Sequence, residues 1–276
     1  MCTEVKQIRC ESQCDCLQCT QVISMTNFSR RLKLILISFI ALSLGAIGIF
    51  TWTYFDQKNP PEVVNPTKDL LVQYSRQWGL GDEVIVHVSH DREYIWYVDQ
   101  GSTGFANSSN CGPTSVEMVS RWYNPAKIAL SSDLRKKYHP MGGWWYGADI
   151  ENALSDTSIP FEVVPITLAE ELVDLLDLGN ILIVNNNMEL ISRNSNQLQR
   201  TGRFYEGVTG HYFVVKGYAR VDHKLYFEVY DPFSMSLTYA DTTYMGKNRY
   251  YLSDDLILSM EQWYPFVYVI APMKNE

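Results

Sequence analysis

Twenty-two consecutive residues without a charge, Leu34 to Phe55 (LILISFIALSLGAIGIFTWTYF), constrain this chain more than any other feature. At about 1.5 Å of rise per residue, such a helix spans the roughly 30 Å hydrocarbon layer of a bilayer. Arg30, Arg31 and Lys33 stand directly before the run, and Asp56 follows it. Positive flanks stay cytoplasmic, so the amino terminus is expected inside and everything beyond Asp56 outside, in a single-pass protein of the cell membrane. A cleaved signal peptide is the competing reading. The run exceeds the roughly 7–15 residues of a signal core, and no lipobox cysteine follows it.

The run divides the chain. Residues 1–33 form a short cytoplasmic segment, 34–55 the transmembrane helix, 56–69 a linker with three prolines (QKNPPEVVNPTKD), and 70–276 one domain. Five of the six cysteines (Cys2, Cys10, Cys14, Cys16, Cys19) lie in the first segment. Their spacing could hold a soft metal, but so short a tail has little with which to enclose a site. Met25 opens MTNFSRRLKLILIS, itself a plausible start, so residues 1–24 are assigned no function. No cofactor or metal is expected. Beyond the span, 18 basic residues face 28 acidic ones, a net charge of −10. Binding nucleic acid takes a basic patch, so the balance argues against that partner.

Within the domain, residues 113–123 (PTSVEMVSRWY) carry helical periodicity with Pro113 at the expected first position. A second amphipathic helix is expected over 168–178, closed by Gly179, then a buried strand from Ile181 to Val184. The polar, Asn-rich stretch from there to Gly210 reads as a mobile surface excursion. Strands follow at 212–219, 225–231 and 266–271. The pattern is that of an α+β domain, a helix cluster packed on an antiparallel sheet.

Cys111 is the only cysteine of that domain, and Asn110-Cys111-Gly112-Pro113-Thr114-Ser115 runs straight into the first helix. A thiol there meets unpaired backbone N–H groups and the positive end of the helix dipole, which favour the thiolate. The same N–H groups, that of Cys111 included, can stabilise an oxyanion. A helix-capping core cysteine is the bland alternative. Of five histidines, His87 and His90 point to opposite faces of a strand, and His139 and His223 lie in turns. His211 opens an apolar strand directly after Gly210, which makes it the candidate base. A turn over Arg220–Lys224, centred near 221 or 222, sets position 211 opposite about 231–233. Asp231 can then orient the His211 ring, unless Tyr230-Asp231-Pro232 merely ends a strand.

At these residues the chain resembles the papain-like C39 peptidase family in its broad sense. The segments NCGPTSVEMVSRWY, GHYFVVKGY and YDP carry the likeness, in the order Cys, His, Asp, with weaker parallels over residues 95–272. The resemblance implies a papain-like fold and thiol hydrolysis of peptide bonds, with Cys111 as nucleophile, His211 as base and Asp231 as orienting acid. It also implies an oxyanion-donating glutamine upstream of the cysteine. Gln100 is the candidate, with Asn107 and Asn110 as alternatives. One span, no ATPase motif and an outside domain separate this chain from family members fused to transporters, so their leader-peptide substrate is not carried over.

Three functions stay open: a peptidase acting on an exported polypeptide, a thiol-dependent acyltransferase or amidase on a cell-wall or small-molecule substrate, and a non-catalytic peptide-binding module. The oligomeric state is not legible. Trp144, Trp145 and Tyr146 either line a groove or form a buried aromatic cluster.

Overall fold

The computed structural model describes residues 68–207 and 209–273. The expected membrane span, the cysteine-rich segment and most of the linker lie outside the described residues. No helix among the described residues is long and apolar enough to cross a membrane.

Among the described residues the strands form one sheet whose pairs are all antiparallel, in the order β2-β7-β3-β4-β5-β6. These strands are β1 (Val84–Ser89), β2 (Glu162–Pro165), β3 (Ile181–Asn187), β4 (Gly210–Val221), β5 (Lys224–Tyr230), β6 (Arg249–Leu252) and β7 (Phe266–Ile270). The central strand β4 is long enough to pair with β3 along its first half and with β1 along its second, on the same edge. Its run GHYFVVKGYARV is apolar without alternation because both faces of the sheet are covered.

On one face pack the helices α2 (Cys111–Tyr123), α3 (Ser131–Tyr138) and α4 (Gly147–Asp156), which share a core with Tyr212, Val214 and Tyr230. On the other lie α5 (Ala169–Asp177) and α6 (Ser253–Glu261), packed with Phe213, Val215 and Phe227. A short helix, α1 (Lys68–Tyr74), closes the far end against Ala219, Val221 and Tyr226. The α+β class, with helices on an antiparallel sheet, is the one expected.

Three local expectations change. The helix expected from Pro113 begins two residues earlier, at Cys111. Proline is harmless there, because the first-turn N–H groups have no partner within the helix. Helix α1 starts at Lys68, inside the stretch read as linker. The Asn-rich excursion is pinned rather than loose. Strand β3 continues to Asn187, and Ile191, Phe204 and Tyr205 enter the core. The buried guanidinium of Arg249 donates to the carbonyls of Asn194, Gln199, Thr201 and Gly202. One cation thereby satisfies backbone groups that the polar sequence suggested were left to water.

Candidate active site

Cys111 is the first residue of α2, so its own N–H has no partner within the helix; the first helical bond is Thr114 N–H to the Asn110 carbonyl, at 2.9 Å. The residue before it is held by a buried guanidinium. Arg135 of α3 donates to Asn110 Oδ1 at 2.6 Å, the Ser109 carbonyl at 2.7 Å and the Gly143 carbonyl at 2.8 Å. It lies near enough for its charge to act on the Cys111 sulfur. Gly112 is required by close approach: a Cβ there would stand 2.8 Å from Cβ of Trp145.

The His211 ring comes from the start of β4 and stands close enough to Cys111 for each to shift the other's ionisation. His211 Nε2 meets Asp231 Oδ1 at 2.8 Å, leaving Nδ1 as the nitrogen for the sulfur. The three side chains so lie together, nearly closed over, with Cys111 6% and His211 1% exposed. Burial pushes the Cys111 thiol up. The bond to His211, the charge of its ring and the N–H groups of Tyr212 and Gly112 together outweigh burial and hold it below its ordinary value. Burial pushes His211 down, but the charge and hydrogen bond of Asp231, then those of Cys111, raise it to about 10. Asp231 is pushed up by burial and held below the usual carboxylate range chiefly by His211. These directions favour the ion pair: a thiolate beside an imidazolium, beside a carboxylate.

Asp231 accepts more bonds than the sequence indicated. Oδ1 also takes the Phe233 N–H, at 2.9 Å, and Oδ2 takes the hydroxyls of Tyr205 (2.7 Å) and Tyr251. Burial and the charge of Asp231 keep both phenols protonated, hence donors. Neither tyrosine was singled out from the sequence: one sits in the polar excursion and the other in the short β6. The rings of Tyr205, Phe213 and Phe233 lie 5.7–6.0 Å from that of His211 and box it in.

Gln100 is fully buried, its backbone N–H on the Pro232 carbonyl at 2.8 Å and its amide N–H on the Asn107 carbonyl at 2.7 Å. One amide hydrogen remains free. Asn110 is spoken for: both amide hydrogens are engaged, by Thr103 Oγ1 and the Phe105 carbonyl. Asn107 gives one to the Gly101 carbonyl. The other histidines face elsewhere. His87 bonds Glu228, His90 the Leu176 carbonyl and His139 Asp149, while His223 lies in the β4–β5 turn. The aromatic triplet divides, Trp145 buried and Trp144 and Tyr146 exposed. Among the described residues no group of acidic, histidine or cysteine side chains is set to hold a metal.

No protein-family model and no curated protein sequence matches this chain. A crystal structure of a proposed C39-like peptidase from Bacillus anthracis is similar at 11% identity with a TM-score of 0.41, over 65% of this chain and 99% of that one.

Proposed function

We propose that this protein is a thiol peptidase that hydrolyses peptide bonds of exported polypeptides, anchored by the span at 34–55 with its catalytic domain outside the cell. The observation that carries the reading is the grouping of Cys111, His211 and Asp231: the His211 ring acts on the thiol on one side and meets Asp231 Oδ1 at 2.8 Å on the other, so a nucleophile, a proton carrier and its orienting acid stand together. The Cys111 thiolate attacks the scissile carbonyl carbon. The resulting oxyanion takes hydrogen bonds from the Cys111 N–H and the free amide hydrogen of Gln100. His211 then gives its proton to the departing amine, leaving a thioester. Water, deprotonated by the same ring, attacks the thioester and returns the thiol.

Incubation of the purified domain with a mixed peptide library and with isolated cell-wall fragments tests this. Peptide cleavage is expected, abolished in Cys111→Ala. Turnover of wall fragments alone would transfer the same triad to amide hydrolysis on a non-protein substrate. Turnover of neither, in a folded protein, would leave a binding module. The anchor is tested by adding protease to intact cells: the domain should be digested, and its protection would overturn the outside placement.

A further inference from the structure

Gln100 can serve an oxyanion only if its amide is held in place relative to a thiol that another segment carries. The residue before it, Asp99, is buried, and its carboxylate is spent on backbone N–H groups. Oδ1 accepts those of Gly101 at 3.0 Å and Met235 at 2.8 Å, and Oδ2 accepts that of Ser236 at 2.9 Å. Gly101 lies on the loop of Gln100, whereas Met235 and Ser236 belong to the loop that follows Asp231.

Two of these three donors have a backbone that side-chain-bearing residues rarely adopt. The φ angle is 48° at Met235 and 67° at Ser236. Such strain persists only where the surrounding structure holds it, and it gathers at functional sites. Here two successive N–H groups converge on one buried carboxylate, as backbone donors do around an anion. The two loops also touch, since a Cβ on Gly101 would stand 2.9 Å from Cα of Met235.

From this clamp, hydrogen bonds run in both directions. Towards the acid, the Gln100 N–H meets the Pro232 carbonyl at 2.8 Å, and the Tyr97 hydroxyl donates to the Asp231 carbonyl at 2.9 Å. Towards the nucleophile, Thr103 Oγ1 donates to the Gln100 carbonyl at 2.6 Å and accepts from Asn110 Nδ2 at 2.9 Å. Asn110 directly precedes Cys111. Gln100 is thus tied to both ends of the site, and Asp99 fastens its loop to that of Asp231.

We infer that Asp99 is a positioning residue: by clamping the loop after Asp231, it sets the free amide hydrogen of Gln100 where the oxyanion forms. Only a carboxylate meets all three donors. Asparagine has one oxygen, so its NH2 group would face either the Ser236 N–H or those of Gly101 and Met235. The inference rests on the peptidase reading for the role of Gln100, and the experiment separates the two. Two reagents that differ in their need for an oxyanion hole are applied to the full chain in detergent. With p-nitrophenyl acetate, the Cys111 thiolate attacks the carbonyl carbon, an oxyanion forms, and p-nitrophenolate leaves as the acetyl thioester appears. Iodoacetamide alkylates the same sulfur with loss of iodide and passes through no oxyanion. Both rates are read by mass spectrometry on the peptide containing Cys111, and the ratio of acetylation to alkylation cancels changes in the thiol itself. Gln100→Ala should lower that ratio about 10²-fold, the loss typical of one oxyanion donor. Asp99→Asn should lower it about tenfold, through a misplaced donor. In the Gln100→Ala background, Asp99→Asn should change it by no more than about twofold, the scatter of independent substitutions. An undiminished ratio in either single variant overturns the inference. So does the same loss from Asp99→Asn in both backgrounds, the mark of a general structural role. If Asp99→Asn does not fold, Asp99→Asn/Ser236→Gly repeats the test, because glycine takes a positive φ without steric cost. Unfolding of both assigns Asp99 to the fold alone and overturns positioning. A peptide library left uncleaved while these ratios hold would instead count against the peptidase reading.

Discussion

Asp231 shows how much of the proposed chemistry depends on one buried charge. Its carboxylate accepts four hydrogen bonds, from His211, the Phe233 N–H, Tyr205 and Tyr251. The two phenols fix the plane of the carboxylate, and its charge is the main reason His211 holds a proton to about pH 10 against burial. Asp231→Asn keeps the shape and removes the charge. The imidazolium then loses its proton at lower pH, so the alkaline limb of kcat/KM, expected near 10 in the wild type, moves down. Cys111 loses a full positive partner and its acid limb moves up, so the active window narrows from both sides. By analogy with the Asp→Asn change in a serine-protease triad, a worked case of this chemistry, kcat/KM at neutral pH should fall roughly 10²–10⁴-fold with the fold retained. A pH–rate profile with a near-native circular dichroism spectrum would check this. Unchanged limbs would remove Asp231 from the chemistry.

Between elements, the sequence was legible where a signal is local and silent where it is not. The start of α2 could be read within two residues, because a polar cap, glycine and proline cluster there. The β4–β5 hairpin could be read because two apolar runs flank a polar turn. Its register could be read only as a range, 231–233 opposite His211, and what sets it within that range could not. The turn is Asp222–His223, with Val221 paired to Lys224 and Asp222 at φ 52°, centred slightly later than the sequence suggested. A bulge at Lys216 between Val215 and Gly217 then slips the pairing back by one residue. Carried past Tyr230, this register sets Phe233 opposite His211, and Asp231 reaches the ring from the diagonal position. Without the bulge, Asp231 would fall on the opposite face, because one residue of slip inverts every side chain of a strand. The face of β4 does switch there: Phe213 and Val215 share a core with Tyr218. Two displacements, in the turn and at the bulge, thus compensate to bring acid and base together. Tyr205 and Tyr251 escaped notice for a related reason, since nothing in local spacing ties residues this far apart to one carboxylate.

At the scale of the whole molecule, the bulge residue is itself the centre of a buried ionic network that fastens β1 to the sheet. Lys216 Nζ donates to Ser89 Oγ at 2.8 Å and Glu228 Oε1 at 2.7 Å, with Asp91 at 3.4 Å, while Glu228 Oε2 meets His87 Nε2 at 2.9 Å. The lysine thus links β1, β4 and β5 where the register slips, upstream of everything that sets Asp231 beside His211. Burial pushes the Glu228 carboxyl up, but Lys216, then His87, hold it far below its ordinary value of 4.5. A carboxyl depressed by folding contributes stability that is present above its unfolded value and lost as pH falls through the folded one. Lys216→Met removes the chief cation and leaves Glu228 a buried charge, a change that typically costs about 3–5 kcal/mol. The size of that deficit should depend on pH in a definite sense. At pH 7 the stranded carboxylate carries the full penalty. As pH falls through the ordinary carboxylate range the variant's Glu228 protonates and the penalty shrinks, while the wild type begins to lose its own contribution. Guanidinium unfolding of both proteins at pH 7 and pH 4 should therefore give curves that converge on acidification. Adding Glu228→Leu to the variant should restore most of the loss at pH 7, since a hydrophobic replacement of both partners leaves no unpaired charge. A deficit equal at both pH values, or a double variant no more stable than the single one, would mean that the lysine supports the bulge through the packing of its stem rather than through its charge.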